Sequence, residues 1–180
     1  MLKCMKNLGE KWLPIALPHY RITNFCLTPD NGCVANIGRR ELVKYDNTWL
    51  EENRVEIWWK HDIRTIACQS NGNIVGVYTI AHNFSFGCSL YSGDLCSIIN
   101  TVVLPDLIPS DKYVNLAIDG SNQILIKTTL RFYLYSDDLI HLYFTYSWHS
   151  KLGADMHIDN RGHVHILEHE KLQNKVTVFV

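Results

Sequence analysis

Leu42-Val43-Lys44-Tyr45-Asp46, Ser89-Leu90-Tyr91-Ser92 and Tyr133-Leu134-Tyr135-Ser136 are copies of one short pattern: an apolar segment ending on Tyr, followed by a small polar or acidic residue. A looser copy, Val176-Thr177-Val178-Phe179, closes the chain. The aromatic anchors fall at 45, 91, 135 and 179, so they step by 46, 44 and 44 residues. A fixed period of about 40–50 residues is the mark of a propeller or an array, in which each repeat is one sheet too small to bury its faces alone.

A second landmark runs in phase with the first. The polar turns are Pro29-Asp30-Asn31-Gly32, Gln69-Ser70-Asn71-Gly72, Asp119-Gly120-Ser121-Asn122 and Asp159-Asn160-Arg161-Gly162. Asn and Gly supply the positive φ that tight hairpins demand. The flanks alternate with period two, as in Ile124 and Ile126 or Val164 and Ile166, which is the strand signal. No stretch of ten or more residues carries a capped 3.6 period. The expectation is an all-β, propeller-like domain over residues 1–180, built from four repeats of about 45 residues, each a short antiparallel sheet. The repeats run over about 22–60, 61–105, 112–147 and 152–180. Each is drawn as strands A to D, with B, C and D of the first at Cys33–Ile37, Glu41–Tyr45 and Arg54–Trp59, C of the third at Arg131–Tyr135 and A of the fourth at Ala154–Ile158; the last repeat stops after strand C. Trp12-Leu13-Pro14-Ile15-Ala16-Leu17 has no place in the first repeat, and it is expected to close the last blade from outside. Pro14 and Pro18 suit an outermost strand, where a missing N–H is tolerated.

The totals set limits. The formal net charge is −1 and the hydrophobic fraction 47%, which suits one folded domain and offers no overall electrostatic attraction for nucleic acid. The N-terminus shows no secretory h-region. The longest apolar stretch, from Leu95 to about Leu104, is interrupted by Ser97, Asn100 and Thr101 and is too short to span a bilayer, so no membrane partner is expected. Six Cys without Cys-x-x-Cys spacing read as buried, reduced thiols in the cytoplasm.

The unit of Asp-x-Gly turn, strand, Arg, and apolar-x-apolar-Tyr strand resembles NHL-type repeats of the six-bladed β-propeller superfamily. The matches are Asp30/Gly32 with Arg39/Arg40 and Tyr45, Asp119/Gly120 with Arg131 and Tyr135, and Asp159/Gly162 with Lys175 and Phe179. The second repeat departs, with Gln69 for Asp and no basic residue before Cys88. The resemblance implies a rigid ring that binds partners through loops, and it raises two alternatives known among such propellers: calcium-dependent lactonases and RNA-binding NHL modules.

Candidate sites follow from residue types. His163 and His165 lie two apart on a strand and share a face, and His157 lies on the partner strand. Three such imidazoles could ligate zinc, with Asp159 or His169 completing the shell. No other cofactor is expected beyond zinc or calcium. Trp58 and Trp59 end the outer strand of the first repeat, and an exposed Trp beside Lys60 and Arg54 is a candidate protein-binding anchor. Arg39 and Arg40, in the B–C connection, are candidates for a basic face toward RNA. No nucleophile elbow, phosphate loop or His-Glu-x-x-His is present. The reading therefore favours a non-catalytic module with a protein partner. RNA and a lactonase-type metal-dependent hydrolase are the alternatives, and a homo-oligomer follows if four blades leave the ring incomplete.

Overall fold

The computed structural model describes residues 3–8, 11–16, 21–57, 61–80, 85–107, 114–128, 130–147, 154–159, 161–169 and 174–179. Every regular element among them is a strand. A hairpin of β1 (Lys3–Leu8) and β2 (Lys11–Ala16) comes first. Blade one follows, with β3 (Ile22–Leu27), β4 (Cys33–Ile37), β5 (Glu41–Tyr45) and β6 (Glu51–Glu56). Blade two holds β7 (His61–Cys68), β8 (Ile74–Ile80), β9 (Ser85–Tyr91) and β10 (Ile98–Leu107). Blade three holds β11 (Asn115–Ile118), β12 (Ile124–Lys127), β13 (Arg131–Tyr135) and β14 (Leu142–Ser147). Blade four has β15 (Ala154–Ile158), β16 (Val164–His169) and β17 (Asn174–Phe179). Each blade is an antiparallel meander whose strands pair in chain order. No helix among the described residues is long and apolar enough to cross a membrane.

The four expected repeats are thus four sheets. Strands β4, β5, β13 and β15 begin and end where the sequence pattern places them. The outer strands differ most, with β6 at 51–56 where 54–59 was expected. The segment expected to close the last blade forms β2, and β2 is hydrogen-bonded to β1 in a separate two-stranded sheet. Pro14 faces Met5 in that pairing. No sheet pairing joins β2 to β15, β16 or β17 among the described residues.

Packing between blades explains why the middle strands are so apolar. Val34 and Leu42 of blade one bury against Ile63, Ile66, Ile74 and Tyr91 of blade two. Val75, Val77, Cys88 and Leu90 of blade two bury against Ile124, Ile126, Tyr133 and Tyr135 of blade three. Leu125 and Phe132 of blade three meet Ile166, Met156 and Val164 of blade four. Alternate residues of one strand therefore serve opposite neighbours, and β4 and β12 are buried at every position. Each fully buried aliphatic or aromatic side chain contributes about 1.5–3 kcal/mol. The first strands line up as β3 beside β7, β7 beside β11 and β11 beside β15. No comparable packing carries β15 back to β3 among the described residues.

The C–D turns carry a repeat of their own. In each, the first residue donates its N–H across the turn and accepts from the residue three on: Asp46 with Leu50 and Trp49, Ser92 with Ser97 and Leu95, Ser136 with His141 and Leu139. That third residue is left-handed every time, with φ of 68° at Trp49, 59° at Leu95 and 65° at Leu139. Left-handed backbone costs a non-glycine residue about 1–2 kcal/mol. Leu95 and Leu139 are nonetheless buried, each in a core that spans two blades, so burial outweighs the strain. Replacing Leu139 by Ala should destabilise by about 2–5 kcal/mol. Because glycine relieves the left-handed strain, Leu139→Gly should be no worse than Leu139→Ala in urea unfolding. A glycine variant weaker than the alanine one by about 1 kcal/mol would contradict this account.

The same turns hold three carboxylates below their ordinary range. The Thr48, Ser92 and Ser136 hydroxyls are the main cause for Asp46, Asp94 and Asp138 respectively, and backbone N–H donors add to it. A lowered folded-state value means stabilisation that is complete above the unfolded value of 3.8 and is lost as pH falls through the folded one. Asn at all three positions keeps the turn hydrogen bonds but does not titrate. The triple variant should therefore show a flatter stability curve below about pH 4 than the unaltered chain, measured by denaturant midpoint.

Candidate functional site

The four A–B turns are geometrically one object. Thr28, Gln69, Asp119 and Asp159 each donate an N–H to the carbonyl four residues on, and each accepts from the N–H three residues on. The third residue is left-handed: Asn31 at 65°, Gly72 at 92°, Asn122 at 64° and Gly162 at 84°. These are the Asn and Gly positions of the sequence pattern, and the conformation is one that Gly, and to a lesser degree Asn, adopts at low cost. Counting the first residue of the turn as zero fixes the equivalences. Position four is Gly32, Asn73, Gln123 and His163. Position six is Val34, Val75, Leu125 and His165.

Gln69 breaks the sequence pattern for a structural reason. Its side chain is buried, and Nε2 donates to the carbonyl of Asn122 at 3.0 Å and to that of Asp137 at 2.7 Å. The Ser70 N–H donates to Asn122 Oδ1 at 2.7 Å. An Asp here has no N–H to offer those two carbonyls; an amide does. Gln69 therefore clamps the A–B turn of blade two to both turns of blade three on the same side. Beside it lies an open groove of about 350 Å³, lined by Leu27, Thr28, Cys68, Gln69, Asp119 and Asn122 among others. Three successive A–B turns thus form one continuous face.

At the equivalent turn of blade four the chemistry changes. Asp159 Oδ1 accepts from the N–H groups of Arg161 at 2.8 Å and His163 at 2.9 Å, which is its turn duty. Asp119 does the same toward Ser121 and Gln123. The other oxygen, Asp159 Oδ2, lies 3.2 Å from His163 Nδ1 and 3.1 Å from His165 Nε2. The His165 hydrogen bond is the main reason the Asp159 carboxyl is held far below the ordinary range. Ligand atoms of Asp159, His163 and His165 all lie within 4.8 Å of one another, and these side chains are half-buried. His157 pairs with His165 across the ladder, but it is exposed and stands outside the cluster, with ring centroids 6.4 Å apart. The His169 side chain lies outside the described part of β16.

The other sequence candidates are dispersed. Arg39 and Arg40 are exposed in the β4–β5 hairpin, where Gly38 and Arg39 are both left-handed. Arg39 presses electrostatically on the half-buried Arg64 guanidinium, whose pKa is lowered first by burial and then by Arg39. Trp58, Trp59 and Lys60 lie outside the described residues. Arg54, expected beside them, is held by Glu51 through two bonds at 2.9 and 3.0 Å and also by Glu41. Sequence reasoning missed the outer rim. Ile98, Ile99 and Val103 of β10 are exposed, as are Leu142, Tyr143, Phe144 and Tyr146 of β14 and the neighbouring Ile140. The signal was available: blade one has Glu51-Glu52-Asn53-Arg54 where blade two has Ile98-Ile99-Asn100-Thr101.

No family model matches this chain, and no curated protein matches it. Solved structures do. Virginiamycin B lyase from Staphylococcus aureus aligns with 98% of this chain and 61% of its own, at 11% identity and a TM-score of 0.61. U3-55K aligns with 89% and 53%, at 12% identity and a TM-score of 0.62. The Dos1 propeller aligns with 81% and 41%, at 15% identity and a TM-score of 0.60. The chain thus spans 41–61% of the length of these structures. At such identities the likeness is one of fold, and with the four blade sheets it establishes an all-β, propeller-like architecture.

The clamp is testable. Gln69→Leu removes the amide from the half-buried Asn122 and Asp137 carbonyls and should destabilise by about 1 kcal/mol. Gln69→Glu should be worse at neutral pH, because a buried carboxylate would face the same carbonyls. Burial and those carbonyls raise the folded-state pKa of the new Glu, so its penalty exists above that value and should shrink as pH falls toward 4–5. Equal pH profiles for the two variants in thermal unfolding would refute the clamp.

Proposed function

We propose that this chain is a non-catalytic interaction module that binds a protein partner. The observation carrying this reading is the apolar rim on consecutive outer strands. Outer strands normally show one buried and one wet face, yet every residue of β14 is exposed, and four of its six side chains are large and apolar or aromatic. Among the described residues β14 is also the last strand of its sheet, and such an edge offers N–H and C=O groups to an added strand. Tyr and aromatic side chains are the usual anchors of protein interfaces, and a contiguous exposed apolar surface marks a contact site. Glu51, Glu52 and Arg54 on β6 form a charged boundary to this rim. The partner that fits is an extended, apolar protein segment laid along β14.

This moves the anchor from the loops of one face, as the sequence suggested, to the rim; the groove of A–B turns is a secondary surface on a rigid scaffold. We also read the repeat as NHL-like, since the turn Asp30/Gly32, the basic Arg39/Arg40 and the anchor Tyr45 fall on the A–B turn, the B–C hairpin and strand C in that order. A cytoplasmic setting belongs to the same reading, with Cys33 and Cys88 serving as buried apolar residues and Cys96 exposed.

Site-specific photo-cross-linking in cells tests the proposal. The bulge residues Ile99 and Tyr143 are the rim positions, and Glu52 is their equivalent on blade one. A cross-linker replacing Tyr143 or Ile99 should yield a discrete protein adduct, and one replacing Glu52 should not. Phe144→Lys should reduce the adduct about tenfold, as expected for loss of an interface anchor. Adducts formed equally from Glu52, adducts to RNA, or no adduct at the rim would overturn it.

A further inference from the structure

We propose that Asp159, His163 and His165 form a binding site for a zinc-class divalent metal on the last blade. Three observations carry it. The first is chemical type: one carboxylate oxygen and two imidazole nitrogens are ligands that zinc, and copper or nickel among its neighbours, select. The second is spacing. Ligand atoms 2.0–2.1 Å from a tetrahedral ion lie about 3.3 Å apart, and Asp159 Oδ2 is 3.2 Å from His163 Nδ1 and 3.1 Å from His165 Nε2. Two of the three separations thus match a tetrahedral shell, and all three lie within 4.8 Å.

The third observation comes from the repeat itself. Position six of the A–B turn is an apolar residue buried toward the next blade in blades one, two and three: Val34, Val75 and Leu125. In blade four it is His165, half-buried. Position four is Gly32, Asn73 and Gln123, and then His163. The fold therefore asks for neither imidazole. Asp159 by contrast is a turn residue, as Asp119 is, and its turn role uses only Oδ1. Two backbone N–H groups thereby aim the second oxygen at the two rings, which is the outer support that metal ligands usually have. The strand register does the rest, since residues 163 and 165 share a face. Among the described residues three ligands converge, and a fourth position is left to water or to a group from outside, the arrangement of an open site.

The blades specify variants that should fold. His163→Asn and His165→Val install the residues that blade two carries as Asn73 and Val75. The full chain is titrated with Zn²⁺ alone by calorimetry, and with Co²⁺ while its visible absorption is followed. One ion per chain is expected, with a tetrahedral cobalt band. Each of His163→Asn, His165→Val and Asp159→Asn should weaken Zn²⁺ binding at least about 100-fold, and His157→Ala should leave it unchanged. Thermal unfolding without metal should show the His variants as stable as the parent, and only the parent should gain stability when Zn²⁺ is added. The site is refuted if no ion binds, if the cobalt spectrum is octahedral, or if the two His variants bind Zn²⁺ as the parent does. Loss of binding in His157→Ala refutes the ligand set. The pairs would then be plain His–carboxylate ion pairs.

Discussion

Everything in this molecule depends on blades covering one another. A four-stranded sheet of about 22 residues has two faces and too little sequence to bury either alone. The structure solves this by giving each middle strand two customers: Cys33 and Ala35 face one way while Val34 faces the other, and Ile124 and Ile126 face back while Leu125 faces forward. Stability is thus carried in interfaces between neighbours. The left-handed Leu95 and Leu139 and the buried Gln69 belong to those interfaces. Strain or polarity is tolerated there because each of these residues ties one blade to the next.

The two ends of the arc are consequently unequal. The backward face of blade one, made of Cys33, Ala35, Ile37, Val43 and Tyr45, is buried. Among the described residues no such apolar cover lies on the forward face of blade four. His157, His165 and Val178 lie on it together by register, and Val176 and Val178 are 59% and 46% exposed. Val34, Val75 and Leu125 hold the equivalent forward positions in earlier blades and are fully buried.

The period of the anchor tyrosines and the phase of the Asn/Gly turns were legible because both are local. Tyr45, Tyr91 and Tyr135 are buried where the pattern puts them, and Asn31, Gly72, Asn122 and Gly162 take the left-handed backbone that their types favour. The outer strands were harder to read. Their bulges, at Glu52, Ile99 and Tyr143, shift the register by one residue, and a one-residue slip moves side chains to the other face. The destination of β2 was not legible either, because a short apolar segment pairs equally well with any free edge, and β1 was nearer. At the site, the pair His163/His165 followed from period two. The sequence offers Asp159 and His169 alike to complete the shell, because a turn Asp reads the same whether its second oxygen is idle or aimed at two rings.

A repeat protein offers its own internal control, and this is what lets function be argued here. Where four copies agree, the residue serves the blade: the anchor aromatic and the left-handed turn position. Where one copy departs, the blade cannot be the explanation. Gln69 stands where blades three and four carry Asp and blade one carries Thr28, and its amide alone reaches across to two carbonyls of the next blade. β14 departs from the charged β6, and the aromatic side chains it gains are exposed rather than buried, so they add nothing to the core. His163 and His165 depart together, on one face, beside a carboxylate whose turn duty is already met by its other oxygen. The first departure is accounted for inside the chain. The second and third place exposed apolar surface and ligating nitrogen outside the described core, and these are the surfaces the proposed partner and ion would use.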